Sequence, residues 1–145
     1  MDKFNLNRFI KAQEETYSSA MDEIKSGSKY GHWMWFIFPQ VEGLGSTEMT
    51  KKFSIKSLEE AKAYLKHAIL GERLLESCEI LLKLEDVSIS EVMGFPDDLK
   101  LRSSMTLFES ASIKNSIFSK VLDEYYESSR DNKTLDLLNI LEKLN

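Results

Sequence analysis

The ten residues Gly31-His-Trp-Met-Trp-Phe-Ile-Phe-Pro-Gln40 limit what this chain can become more than any others. They gather both tryptophans, two of the eight phenylalanines and one of the two histidines, and run directly toward Gly43-Leu-Gly45. Apolar surface left in water costs about 25 cal/mol per Å², and each aromatic ring carries a large area of it. The segment must therefore be buried or must face a ligand. Its conformation is ambiguous by periodicity, because every position from Trp33 to Phe38 is apolar. Ring and isoleucine content would suit a buried strand. With helical patterns on either side and no second strand to pair with, a short buried helix ending at Pro39 is the preferred reading.

Leu6, Phe9, Ile10, Tyr17, Ala20, Met21 and Ile24, interrupted by Gln13, recur at helical spacing and predict a first helix over 7–26 that stops at Gly27. Thr47–Phe53 reads as a short helix. Ser57-Leu-Glu-Glu60 is a capping box, opening a helix that runs to about His67. Gly71 interrupts, and a helix resumes over Arg73–Leu84 with Leu74, Leu75, Cys78, Leu81 and Leu82 on one side. Ser90–Gly94 reads as a single turn. Pro96-Asp-Asp98 opens another helix, its carboxylates suited to the positive end. Ser116–Tyr126 and Leu135–Leu144 complete the pattern, the last with Leu135, Leu138, Leu141 and Leu144 as its stripe. The expectation is an all-α fold: one compact domain over residues 1–145, built from about six to eight helices.

With 145 residues, the chain is the size of one ordinary domain, and 42% hydrophobic with 30% charged residues reads as globular. Nineteen basic against twenty-four acidic residues give a net charge of −5. That argues against a duplex nucleic-acid binder, which needs a broad basic footprint. No apolar run approaches the about eighteen residues of a membrane helix, so no membrane partner is expected. Met1–Ile10 lacks the basic-then-apolar order of a signal peptide. Cys78 is the single cysteine, which leaves no intrachain disulfide and no cysteine-based metal cluster. A cytoplasmic location follows as the expectation, and the Asn132-Lys-Thr134 sequon reads as a turn before the last helix.

Several stretches resemble domain-of-unknown-function family 1810: Gly31–Gln40, Gly43-Leu-Gly45, Ser57–Leu65, Leu70-Gly-Glu-Arg-Leu74 and Asp97-Asp-Leu-Lys-Leu-Arg-Ser-Ser-Met-Thr-Leu-Phe108. The resemblance spans about residues 9–145. It implies an all-helical single domain of a cytoplasmic bacterial protein, and it carries no activity. Members of the family are sometimes labelled calpastatin. That label fits this chain poorly, because calpastatin inhibitory segments are disordered and this sequence has the apolar periodicity of a core. The polar stretch Glu127–Lys133 reads as a variable loop.

Two segments hold the residues able to carry chemistry. His32, beside the aromatic run, is either an acid–base group held against an apolar wall or a histidine pinning the segment to a backbone carbonyl. His67 reads as a helix-end residue. Trp33 and Trp35 point to different sides on a helix, so one can offer its indole to a planar base while the other fills the core. Gln40, Gly43 and Gly45 form a tight connection, either a plain turn or a backbone brought close to an anion.

In Asp97–Thr106, Lys100, Ser103 and Ser104 share a helical face, with Thr106 further round. Lys100 and Arg102 supply positive charge for phosphate or carboxylate. A helix apolar over so much of its circumference should be buried, and serine is a poor interior helix former. The paired serines therefore imply either close helix packing or a polar pocket wall. Because the resemblance centres on these positions, the ligand wall is preferred. Asp97 is a proton-transfer candidate with His32, or a cap like Asp98.

No spacing matches a metal site, a phosphate loop or a nucleophile elbow, and no cofactor is called for. The preferred function is thus a pocket for a small anionic ligand, a nucleotide or an ADP-ribose- or NAD-derived molecule, that is bound or hydrolysed. The alternative is a non-catalytic protein–protein interaction module that docks through an exposed 33–38 segment.

Overall fold

The structure is a computed structural model describing residues 2–144, with the side chain of Leu144 outside the description. Among the described residues the chain forms ten helices, where about six to eight were expected. They are α1 (Asn7–Glu14), α2 (Tyr17–Lys25), α3 (Met34–Ile37), α4 (Glu48–Phe53), α5 (Leu58–Lys66), α6 (Leu70–Lys83), α7 (Ile89–Met93), α8 (Asp97–Ser110), α9 (Ile117–Tyr125) and α10 (Asn132–Leu144). The sole pairing of extended backbone among these residues is an isolated parallel bridge between Val41 and Ile55. None of the helices is long and apolar enough to cross a membrane.

The higher count has local causes. The expected first helix breaks at Glu15–Thr16 into α1 and α2. Gln13, the polar interruption in its apolar stripe, is 1% exposed and acts as an anchor. Its amide donates to the Phe36 carbonyl (2.7 Å) and to the Tyr64 hydroxyl (3.1 Å), and it accepts from Arg73 (3.2 Å). The chain turns just beyond this anchor, letting Phe9 of α1 and Ile24 of α2 both reach the core at zero exposure.

Gly71 does not interrupt a helix, as the sequence reading has it; it lies within the first turn of α6. A Cβ at this position would sit 2.1 Å from the Leu65 carbonyl oxygen. Glycine is therefore what lets α6 start directly against the end of α5.

Thr47, Ser57, Ser88 and Ser116 cap α4, α5, α7 and α9, each accepting a hydrogen bond from the backbone amide three residues on. The capping box at Ser57 is half reciprocal. Glu60 turns its carboxylate to the Lys56 amide (2.9 Å) and to Arg8 (2.7 Å) instead of closing on Ser57.

At the centre lies α8, packed against α5, α7, α9 and α10. Leu101, Met105, Leu107 and Phe108 have no exposed surface, in keeping with a helix apolar nearly all round. Beside it, α6 packs on α2, α5 and α9. Cys78 of α6 is sealed there, its thiol 3.7 Å from the sulfur of Met105, and burial pushes that thiol well above its ordinary pKa. On α10 the inward face is Thr134, Leu137, Leu138 and Leu141, whereas Leu135 is exposed.

Candidate functional site

The aromatic segment delivers the chain to one side of α8. Trp33, Met34, Phe36, Ile37 and Phe38 are each 8% exposed or less, and the single-turn α3 between them packs on α1 and α4. The following chain is fixed by the bridge, where the Ile55 amide donates to the Gln40 carbonyl and the Glu42 amide to the Ile55 carbonyl, both at 2.8 Å. Gln40 is thereby aimed at α8, its amide 3.5 Å from the Lys100 carbonyl. Between this loop and the N-terminal half of α8 lies a cleft of about 260 Å³. Gln40, Gly45 and Thr50 form one wall; Leu99, Lys100, Arg102 and Ser103 form the other, with Asp131 at the end. An adjoining hollow shares Gln40, Thr50 and Lys100 and adds Trp35.

Charge is arranged unevenly around this cleft. The Arg102 guanidinium makes no hydrogen bond or ion pair among the described residues, and its Nε is fully buried without a partner. Lys100 Nζ lies 5.5 Å above the Trp35 ring, and 3.7 Å from Asp97. Asp131 receives the Ser103 and Thr134 hydroxyls on one oxygen, at 2.7 and 2.5 Å. Burial acts to raise its pKa, but these two bonds and the nearby Arg102 charge outweigh it and hold the carboxyl below its ordinary value.

A clasp behind the cleft positions the aromatic turn. Glu23 accepts from the amides of Tyr30 (2.6 Å) and Gly31 (2.8 Å) and from the Trp33 indole (3.0 Å). Burial opposes ionisation of Glu23, and these three donors overcome it, leaving the pKa lowered. Lys29 bridges Asp97 (2.7 Å), the Gly31 carbonyl (2.5 Å) and the face of Trp33 (4.7 Å from the ring centre).

Of the residues singled out from sequence, Gln40, Gly45, Lys100, Arg102 and Ser103 meet in the cleft, with Trp35 in the adjoining hollow. The others are elsewhere. His32 is exposed and lines neither hollow. Asp97 is held in the Lys29 clasp, so the two proton-transfer candidates do not converge on the cleft. Trp33 is core at 1% exposure. Gly43 has a φ of +105° and backs onto Leu137 of α10, which makes it a turn residue. Ser104 and Thr106 have no exposed surface. Thr106 is structural: its hydroxyl donates to the Arg102 carbonyl (2.8 Å) and accepts from the Asp131 amide (3.0 Å).

The paired serines therefore divide. Ser103 faces the cleft, and its neighbour, about 100° further round the helix, is the small residue of close packing. The Ser104 hydroxyl has no hydrogen-bond partner among the described residues. An unsatisfied buried hydroxyl costs on the order of 1–3 kcal/mol. Ser104→Ala is accordingly expected to be neutral or to stabilise by up to about 1–2 kcal/mol in urea unfolding; a clear loss would reveal an unseen partner.

A docking module would need the 33–38 segment on the surface. Of those six residues all but Trp35, which is partly exposed, are buried.

Sequence reasoning missed Asp131, Lys29, Glu23 and Thr50. Asp131 lay inside the presumed variable loop, although an Asp just ahead of a helical pattern is a recognisable cap signal. Lys29 gains its role from Asp97, distant in sequence, whereas Glu23 and Thr50 bond to residues within ten positions of themselves but form no recognisable motif.

The family model described as "Protein of unknown function (DUF1810)" matches residues 3–138. No curated protein matches the chain. Among solved structures, the chain is similar to the crystal structure of the conserved hypothetical protein Rv1873 from Mycobacterium tuberculosis. The two share 48% identity with a TM-score of 0.93, over 95% of this chain and 99% of that one.

Proposed function

The chain belongs to the DUF1810 family, and from the site it carries we propose that it binds a small phosphorylated ligand of the nucleotide class in the cleft between Gln40–Thr50 and α8. One observation carries this reading: a half-buried arginine lines the cleft with all its donors unspent among the described residues. A guanidinium partly withdrawn from water and left unpaired is an unfavourable arrangement unless an anion completes it. Its planar fork matches the paired oxygens of a phosphate. Lys100 supplies a second charge, held at a loose 3.7 Å from Asp97 and so free to turn toward a ligand.

Size narrows the class. Pockets that enclose drug-sized ligands span about 300–1,000 Å³; this cleft of about 260 Å³ has room for a phosphate and its sugar and is open to solvent beyond them. A base, or the second nucleoside of an ADP-ribose- or NAD-like molecule, extends outside. There Phe95, 80% exposed and next to the cleft residue Pro96, offers an aromatic face for stacking. Binding is better supported than hydrolysis, since neither His32 nor Asp97 lines the cleft.

Isothermal titration with AMP and ADP-ribose tests this. Lys100→Ala and Arg102→Ala are each expected to weaken binding by about tenfold or more, the effect of removing one charge-assisted hydrogen bond. Absence of binding to the wild-type protein, or full affinity in the double variant, overturns the assignment.

A further inference from the structure

An anion site with a carboxylate in its wall is contradictory unless the ligand brings hydrogen-bond donors as well as negative charge. We infer that the cleft is selective for a phosphate attached to ribose over one attached to deoxyribose, with Asp131 accepting the sugar hydroxyls; this rests on the nucleotide-class reading above. Asp131 shares the cleft with Lys100 and Arg102, yet lies within ion-pair distance of neither among the described residues. Both internal hydroxyl donors, Ser103 and Thr134, go to Oδ2, and Oδ1 accepts no side-chain hydrogen bond among the described residues. The carboxylate is thus oriented chiefly through Oδ2, with the Thr134 backbone amide also directed at it, and Oδ1 is the oxygen left without a side-chain donor among the described residues.

A bare phosphate entering this cleft meets Arg102 and Lys100 but is repelled by Asp131. A ribose phosphate meets the same cations with its anion and presents adjacent hydroxyls, both donors, to the carboxylate. The arrangement therefore rewards the sugar and penalises the unadorned anion, which separates it from a general phosphate site. A base amine would also donate to a carboxylate; AMP and 2′-deoxyAMP carry the same base, so their comparison isolates the sugar hydroxyl.

Titrations with AMP, 2′-deoxyAMP and inorganic phosphate, on wild type and Asp131→Asn, decide the matter. The asparagine can keep its oxygen toward Ser103 and Thr134 while turning an amide donor into the cleft. Wild type is expected to bind AMP about tenfold more tightly than 2′-deoxyAMP. The variant should lose that preference and bind inorganic phosphate several-fold more tightly than wild type, a gain that a folding defect does not imitate. Equal wild-type affinity for AMP and 2′-deoxyAMP, or unchanged phosphate affinity in the variant, overturns the inference while the nucleotide-class reading stands. No binding of either nucleotide removes both. If the variant fails to fold, the wild-type comparison of the two nucleotides decides alone.

Discussion

Replacing Arg8 by alanine is expected to lower the unfolding free energy by about 3–5 kcal/mol, the range found when one partner of a buried ion pair is removed. The Arg8 and Glu60 side chains are 8% and 2% exposed and meet at 2.7 Å. All the guanidinium nitrogens are occupied. Nε donates to the Lys52 carbonyl, one terminal nitrogen to the Phe4 and Asn5 carbonyls, and the other to the Ser54 carbonyl and Glu60, all between 2.7 and 2.9 Å. The guanidinium also lies 4.3 Å over the Phe9 ring. One side chain thereby joins α1 to the end of α4 and the start of α5.

Its removal would leave the Glu60 carboxylate almost without water and with only the Lys56 amide as partner. Against a total stability of about 5–15 kcal/mol for ordinary domains, that loss is a large fraction. Arg8→Lys should recover little of it, since an ammonium cannot reach so many acceptors at once. Replacing both partners by methionine should cost less than Arg8→Ala alone, because no uncompensated charge remains, while the backbone carbonyls that Arg8 serves and the Lys56 amide lose their partners. Urea unfolding of the three variants measures this. A loss below about 1 kcal/mol for Arg8→Ala would mean that water reaches Glu60.

The same interaction shows how far the sequence could be read. Helix class and most helix positions were legible because they rest on local signals: Ser57 and Gly94 at helix ends, Pro96-Asp-Asp at the start of α8, and the apolar stripes between. What could not be read depends on side chains meeting across the chain. Glu60 looks like half of a capping box, and nothing nearby announces Arg8, fifty-two positions away. Gln13 looks like a flaw in an apolar stripe until Phe36, Tyr64 and Arg73 surround it. In the cleft, Lys100, Arg102 and Ser103 were legible as a polar strip on an apolar helix. Asp131 was not, because a loop residue acquires a role only when the fold returns it to that strip.

The two tryptophans, indistinguishable by residue type, are expected to respond very unequally to substitution. Trp33→Ala should cost about 3–5 kcal/mol, as for other buried aromatic truncations. It empties a 1%-exposed site and removes the indole bond to Glu23, the face over which Lys29 sits, and packing against Phe38 at 6.3 Å between ring centres. The clasp that ties the aromatic turn to Asp97 would lose its central surface. Trp35 is half-buried, makes no side-chain hydrogen bond among the described residues, and lines the hollow next to the cleft with Lys100 above its ring. Trp35→Ala is therefore expected to cost less than Trp33→Ala, since part of its surface stays in water and it leaves no hydrogen-bond partner unpaired. These are the only two tryptophans, so fluorescence separates their roles. In Trp33→Phe the remaining indole sits beside the cleft, and AMP should still change its emission. In Trp35→Phe the remaining indole is sealed behind Glu23 and Lys29, and that response should largely vanish. A response carried by Trp33 instead would place ligand contact on the core side of the turn and displace the cleft as the binding site.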